Sequence, residues 1–421
     1  MAELTRSDSL ADWLRHLETL HPRAIDLGLE RVREVWERLG SPRPAPVCIT
    51  IGGTNGKGST VAFLEAMLRA AGHRVGAYTS PHLLRYNERV RLDGVDAADA
   101  DLVSAFADIE AARGEVSLSY FEFGTLAAFL LLERSGVDAA ILEVGLGGRL
   151  DAVNLIDADA AVLTSVDLDH QEYLGETRER IGWDKAHIFR AGRPAIVAAV
   201  DPPASVFAVA HALGAVVLRP PEPLPGQGEW RCALPDGTLL GLPPPALVAP
   251  CQRRNAQAAL WAWHALRARL RFDAAAAARG VALAQVRGRL QRLPRTPETW
   301  VDVAHNPEAA RVLAGWLAAD PRRRKVAVFA ALADKDLAGI VAPLRQHFHA
   351  WVVLDLRPAS PRAADPAAQA RALAALLAGD PCIETAADIA AALAQAERLA
   401  GPAGRVVVFG SFFTVAAALS M

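Results

Sequence analysis

A chain of 421 residues, 52% hydrophobic and 22% charged, has the composition of a folded globular protein, with length for roughly two or three domains. Its formal net charge of −2 supplies no global basic field, which argues against nucleic acid or an anionic membrane as a main partner. The cysteines at 48, 232, 251 and 382 lie far apart with no C-x-x-C pair, so neither a zinc knuckle nor a disulfide framework is indicated and reduced thiols are expected.

The opening MAELTRSDSLADWL carries charge where a signal peptide needs an apolar core, and no long apolar run follows; a soluble cytoplasmic protein is expected. Short β-branched runs then alternate with helical patterns: VCITI (47–51), VGAYT (75–79), AAILEV (139–144), AAVLTSV (160–166) and AIVAAV (195–200). That alternation predicts an α/β domain built on a mostly parallel sheet. Between the first two runs, Val61, Leu64, Leu68 and Ala71 recur at helical spacing and Gly72 stands where the helix would stop. The Pro- and Gly-rich stretch from about 218 to 250 reads as hairpins and loops. After RLPRTPE (292–298), a second alternation of WVDVA, KVAVFAA, WVVLDL and VVVFG predicts a smaller, Rossmann-like α/β domain. The expected boundaries are 1–294 and 295–421.

ITIGGTNGKGST sets Gly52, Gly53, Gly56 and Gly58 around Lys57, between a buried strand and an amphipathic helix. Glycines let backbone N–H groups close on phosphate oxygens, the helix N-terminus adds a positive dipole, and Lys57 would neutralise the β/γ-phosphates. The loop departs from G-x-x-x-x-G-K-[ST] because Gly58 separates Lys57 from Ser59. The bland alternative is a glycine-rich turn.

Glu143 ends one predicted strand and His170 follows another, so both should emerge at the carboxyl edge of the sheet, where open α/β sheets bind ligands. Glu143 is a hard oxygen ligand suited to Mg²⁺; His170 is a less usual one and also reads as a structural histidine. In RERIGWDKAHIF, Lys185 shares a helical face with Ile181 and Ile188. A bare ammonium there is costly, which leaves three solutions: a salt bridge, snorkelling, or reaction of a pKa-depressed amine with CO₂ to give a metal-binding carbamate.

Together these strings resemble the bacterial folylpolyglutamate synthase/dihydrofolate synthase family of the Mur ligase superfamily. HPRAIDLGLERV (21–32), GTNGKGS (53–59), TSPHLLRYNERVRLDG (79–94), SYFEFGTLAAF (119–129), EVGLGGRLDAVN (143–154), DLDHQEYLGET (167–177), DKAHI (184–188), GRLQ (288–291), DVAHNP (302–307) and FGS (409–411) carry the resemblance in order along nearly the whole chain. It implies ATP contacts from Thr54, Asn55, Gly56 and Lys57, with further nucleotide contacts from Asn255, Arg289 and Asp302 on the inter-domain side. It implies Mg²⁺ at two sites, held by Ser80, Glu143, His170 and a carbamylated Lys185, with K⁺ as a further candidate ion. The pteridine pocket would draw on Ala24, Ile25, Asp26 and Leu27, on Ser119, Tyr120, Phe121 and Glu122, and on Leu150, Asp151 and Ala152. Phe121 would stack on the ring, although core packing explains it equally. His305 and Ser411 match glutamate-binding positions. His187 stands where the family more often has Gly.

The implied reaction is attack of a substrate carboxylate on the γ-phosphate of ATP, then attack of the glutamate amine on the acyl phosphate in a closed inter-domain cleft, with His305 a candidate base. The acceptors would be dihydropteroate and reduced folates, the co-substrate L-glutamate, and the enzyme a monomer. A monofunctional folylpolyglutamate synthase is the nearest alternative. A Mur-type cell-wall ligase is disfavoured because only about fifty residues precede the loop, too few for a UDP-sugar domain.

Overall fold

The computed structural model describes residues 5–23, 25–226, 228–321, 324–377 and 382–421. The chain divides into two compact units, Met1–Ala246 with Arg253–Gln285 and Leu247–Gln252 with Val286–Met421.

The first unit is organised by β1 (Val47–Gly52), β2 (Val75–Tyr78), β3 (Val90–Leu92), β4 (Val95–Asp96), β5 (Ala139–Glu143), β6 (Ala160–Leu163), β7 (Pro194–Val197) and β8 (Val216–Leu218). They form one sheet in the order β4-β3-β2-β5-β1-β6-β7-β8. All neighbours from β2 to β8 are parallel, and only β3 and β4 run antiparallel at one edge. β1, β2, β5 and β6 are buried on both faces, which is why they read as continuous apolar runs rather than alternations. On one side Trp13, Phe106, Phe123 and Phe129 fill a core with no exposed surface on any of the four.

The stretch expected as hairpins holds β9 (Leu224–Pro225), β10 (Trp230–Ala233) and β11 (Leu239–Leu242), a separate antiparallel sheet. The second unit carries β12 (Gln291–Leu293), β13 (Glu298–Asp302), β14 (Lys325–Phe329), β15 (Ala350–Leu354), β16 (Cys382–Ala386) and β17 (Arg405–Phe409) in the order β12-β13-β17-β14-β15-β16. Phe329, Trp351 and Phe409 form its aromatic centre.

Three expectations shift. The second unit takes in residues from 286 rather than 295, because β12 pairs antiparallel with β13 and hydrogen bonding draws the expected linker into the second sheet. β6 ends at Leu163, three residues short of the apolar run, since the next residues turn to hold the glycine loop. The helix Arg178–Ala186 stops before Ile188, so that residue does not share a helical face with Lys185, although it is buried against Gly52. Among the described residues no helix is long and apolar enough to cross a membrane.

The helix Lys57–Ala70 is tied to β3 by Arg91, which donates to Glu65 from Nε at 3.0 Å and from Nη2 at 2.8 Å. The same guanidinium reaches Thr79 Oγ1 at 3.1 Å, next to Ser80. Glu65→Ala would leave this half-buried cation without its carboxylate and should cost about 3 kcal/mol of unfolding free energy. Chemical denaturation of the two proteins measures it; a difference below ~1 kcal/mol would show the pair to be solvated.

Candidate active site

Register places four strand ends at one edge of the first sheet: Tyr78 lies opposite Leu142, Ile51 opposite Glu143, and Gly52 opposite Leu163. Ser80, Glu143, the loop 53–56 and the segment leading to His170 therefore leave adjacent parallel strands at their carboxyl ends. This is the ligand edge of an open α/β sheet.

The glycine loop is bolted to the residues after β6. Thr54 N donates to Ser165 O at 2.9 Å, and Asn55 N to Ser165 Oγ at 2.9 Å. Thr54 Oγ1 donates to Asp167 O at 3.1 Å, while Thr164 Oγ1 donates to Asn55 O at 2.6 Å. Two glycines are sterically required. A Cβ on Gly53, at φ +143°, would fall 2.0 Å from Thr164 Oγ1; one on Gly56, at φ +86°, would fall 2.7 Å from Asn255 Oδ1. Asn255, from the helix Gln252–Ala265, thus presses its carboxamide against the loop. Gly56 is the N-cap of Lys57–Ala70 and supplies no side-chain acceptor to its first turn, which leaves those N–H groups disposed to meet an anion.

Lys57 Nζ donates to Gly53 O at 3.0 Å and to Thr54 O at 3.2 Å. Lys185 Nζ donates to the same Gly53 O at 3.3 Å. Lys185 is 5% exposed; burial first, and then the charge of Lys57, push its pKa down to about 7. Its helix meets the loop 145–151 closely, since a Cβ on Gly148 would lie 2.8 Å from Lys185 O and one on Gly147 would lie 2.5 Å from Asp184 Oδ1.

For a divalent ion, the described residues hold no group of three or more His, Cys, Asp or Glu able to bind it. Mg²⁺ is usually held by one or two carboxylates, with phosphate and water completing its shell, and the Ser80, Glu143 and His170 donors fit that pattern. Glu143 is buried, with its Oε2 3.5 Å from where a Cβ on Gly58 would stand, which sets the carboxylate beside the first turn of the helix. His170 is more open, with 36% of its side chain exposed, and takes a left-handed φ of 50° at the cap of the turn Gln171–Leu174. Such backbone strain in a non-glycine residue is concentrated at functional sites.

Several residues expected to form the acceptor pocket make contacts with one another or with their neighbours. Ala24 lies outside the described residues. Arg31 joins Asp26, at 2.8 Å, to Glu122, at 3.0 Å. Ile25 is exposed, and Leu27 is half-buried beside Asp26. Ser119 and Glu122 form a capping box for the helix Tyr120–Ser135, a structural duty that motif reading misses. The half-buried ring of Phe121 lies against Gly145, where a Cβ would sit 2.5 Å from Cζ, and 6.2 Å from the Tyr78 ring. On the same loop, between Leu150 and Ala152, Asp151 accepts from Leu146 N at 2.8 Å and Val153 N at 3.0 Å. Burial lifts its pKa to about 7, against the pull of those N–H groups and of Lys57. His82, half-buried beside Tyr86, is pushed down to about 4 by burial and by Arg89.

In the second unit, Asp302 accepts from Leu290 N at 2.8 Å and from Ala304 N at 2.9 Å; burial raises its pKa and Arg289 opposes the rise. His305 Nδ1 meets Val303 O at 2.8 Å. Arg289 and His305 share one neighbour that motif reading passed over, Phe412, with separations of 5.9 and 5.7 Å. Ser411 caps the helix Phe412–Leu419 by accepting from Thr414 N at 3.1 Å. Thr164, Ser165 and Asp167 were also passed over. Their only signal lay in the polar residues closing the AAVLTSVDLDH string.

A phosphate loop at a parallel sheet edge, followed by a second α/β unit with its own polar strand ends, defines a Mur-type ligase: residues 51–215 match the Mur ligase middle domain and 288–412 the Mur ligase glutamate ligase domain. The chain is 44% identical over 421 residues to the dihydrofolate synthase/folylpolyglutamate synthase of Escherichia coli K12, covering 97% of this chain and 94% of that protein. Solved structures agree: E. coli FolC in complex with DHPP and ADP matches with a TM-score of 0.93 at 42% identity, over 99% of this chain and 98% of that one. A bifunctional folylpolyglutamate synthase/dihydrofolate synthase with Mn, AMPPNP and L-glutamate bound matches at 0.88 and 42%, over the whole of both chains. The chain belongs to the dihydrofolate synthase/folylpolyglutamate synthase family.

The geometry yields a sharp expectation for Gly56. Gly56→Ala combines a left-handed backbone with a clash on Asn255, so it should displace the loop and lower turnover by roughly a hundredfold or more. Steady-state kinetics alongside a thermal melt test it; near-wild-type turnover would show that the loop tolerates the shift.

Proposed function

We propose that this protein is an ATP- and Mg²⁺-dependent ligase that joins L-glutamate to dihydropteroate and to tetrahydrofolate through an acyl phosphate. The observation carrying the reading is the meeting of Lys57 and Lys185 on Gly53 O, at the same sheet edge from which the loop of Gly145 and Asp151 departs. Its four free cysteines suit the cytoplasm.

In the first step a carboxylate oxygen of the acceptor attacks the γ-phosphorus of ATP, the bond to the β-phosphate oxygen breaks, and ADP leaves. The loop N–H groups and Lys57 offset the charge gathering on the transferred phosphoryl oxygens, which is the main catalytic requirement of phosphoryl transfer. Bound divalent metal, held by Ser80, Glu143 and His170, would add further charge neutralisation at the phosphates. The glutamate amine then attacks the acyl carbon, phosphate departs with the C–O electron pair, and the amine loses a proton. His305 and Ser411 are assigned to glutamate, with His305 the candidate base; Asn255, Arg289 and Asp302 are assigned to the nucleotide. Phe121 stacks on the pteridine and Asp151 hydrogen-bonds its polar edge. The direct test is release of ADP and phosphate with dihydropteroate or tetrahydrofolate, with and without glutamate. Glutamate-dependent amide product is expected with both acceptors. Product with tetrahydrofolate alone would reduce the assignment to a folylpolyglutamate synthase, and product with neither would overturn it.

Lys185 is assigned as a carbamate. Two ammonium groups on one carbonyl repel, and a lysine whose pKa falls to about 7 is substantially neutral, and nucleophilic toward CO₂, at neutral pH. The sign follows: below about pH 7 the amine is protonated, carbamate formation is suppressed, and activity should fall, with bicarbonate restoring it in CO₂-depleted enzyme near neutrality. Lys185→Ala should be nearly inactive. Intact mass under non-acidic conditions decides the point, because active enzyme carrying an unmodified lysine would exclude the carbamate.

A further inference from the structure

Near Phe121 stands an arginine, Arg89, that is flanked by two aromatic rings and forms no ion pair with a carboxylate among the described residues. Arg89 closes the turn Tyr86–Arg89, and its guanidinium carbon lies 5.3 Å from the Tyr86 ring centre and 5.6 Å from that of Tyr120. Its Nε donates to His82 Nδ1 at 2.9 Å, and the guanidinium also interacts with the buried Tyr78 hydroxyl, a second neutral partner. An imidazole nitrogen that accepts a hydrogen bond belongs to a ring without a proton there. His82 therefore fixes the plane of the guanidinium while leaving its charge intact.

Two neighbouring carboxylates, Glu88 next to it in the chain and Glu122 on the helix of Tyr120, make other hydrogen bonds. Glu88 accepts from the backbone N–H groups of Leu83 at 2.8 Å and of Leu84 and Arg85 at 3.1 Å. Glu122 is held by Ser119 N and Arg31. Arg89 O accepts from Thr79 N at 2.8 Å, so the residue is anchored one position from Ser80, while Tyr120 on its other side adjoins Phe121. It thus stands between the wall assigned to the pteridine and the strand end assigned to the phosphates. Those are the two ends of a pteroate-type acceptor, whose carboxylate must reach the second.

We propose that Arg89 is the specificity-determining residue that recognises the acceptor's carboxylate, taking it on the two Nη donors of its fork. The assignment rests on the pteroate reading of the pocket. An aromatic-lined guanidinium is weakly hydrated and presents parallel donors matched to a carboxylate, which makes bidentate pairing the favoured way to satisfy it. Held there, the acceptor's negative charge is compensated as it approaches the triphosphate. A neutral pteridine of the same shape gains nothing from the fork.

Equilibrium binding of pteroate and of its neutral primary carboxamide, by fluorescence quenching, tests the assignment. The wild-type protein should prefer pteroate by roughly tenfold or more, the scale of one charge-assisted pair. Arg89→Met should remove that preference while leaving carboxamide affinity within about twofold, which also shows the pocket to be folded. His82→Glu supplies a second variant, in which a new carboxylate beside the untouched arginine should also abolish the preference. Equal weakening of both ligands in Arg89→Met, or an undiminished preference in either variant, overturns the role of Arg89. Failure of the wild type to bind either ligand overturns the pteroate reading itself.

Discussion

Two lysine side chains share a single carbonyl oxygen, that of Gly53, and much of the first unit is arranged to hold them there. The carbonyl is aimed by a loop that cannot relax: Gly53 and Gly56 occupy backbone regions that residues with a Cβ rarely adopt, and hydrogen bonds fasten Thr54 and Asn55 to the segment after β6. Like charges so placed raise the free energy of the site until an anion arrives. An anion bound at the loop would meet that demand.

The same electrostatic demand explains the neighbouring carboxyl groups. Asp151 is buried, yet Lys57 and three backbone N–H groups limit how far its pKa rises. Glu143 stands against the first turn of Lys57–Ala70, and Arg91 is balanced by Glu65 on that helix. Charges are thus paired or positioned around the loop in both directions. The fold tolerates this cost because β1, β5 and β6, buried on both faces, anchor the strand ends from which the charged side chains emerge.

The parallel strands and the loop were legible in the sequence because both leave local signatures, an apolar β-branched run and a glycine cluster before a helix. Much of what surrounds them was not. Thr164 and Ser165 look like the tail of a strand, and only the hydrogen bonds to Thr54 and Asn55 reveal them as loop supports. Phe412 reads as the apolar start of a helix until Arg289, far from it in sequence, is found beside its ring. Contacts between segments more than a hundred residues apart have no local pattern to announce them. The second-unit boundary was misplaced for a related reason: a three-residue strand is too short to show alternation, and it is its pairing with β13 that makes β12 part of the sheet.

Several residues assigned to ligands also hold helix ends, and this dual use constrains how their roles separate. Ser411 Oγ accepts from Thr414 N, and Ser119 with Glu122 closes a capping box. Loss of such a cap costs about 1 kcal/mol of stability irrespective of any ligand. The two uses are physically compatible: a residue that fixes the N-terminus of a helix stands where that helix presents unpaired N–H groups and positive dipole, so a ligand anion reaching it meets a charge-complementary terminus. Placing binding residues at caps therefore makes their positions depend on the helix. A disturbance of either helix end is transmitted to the ligand site.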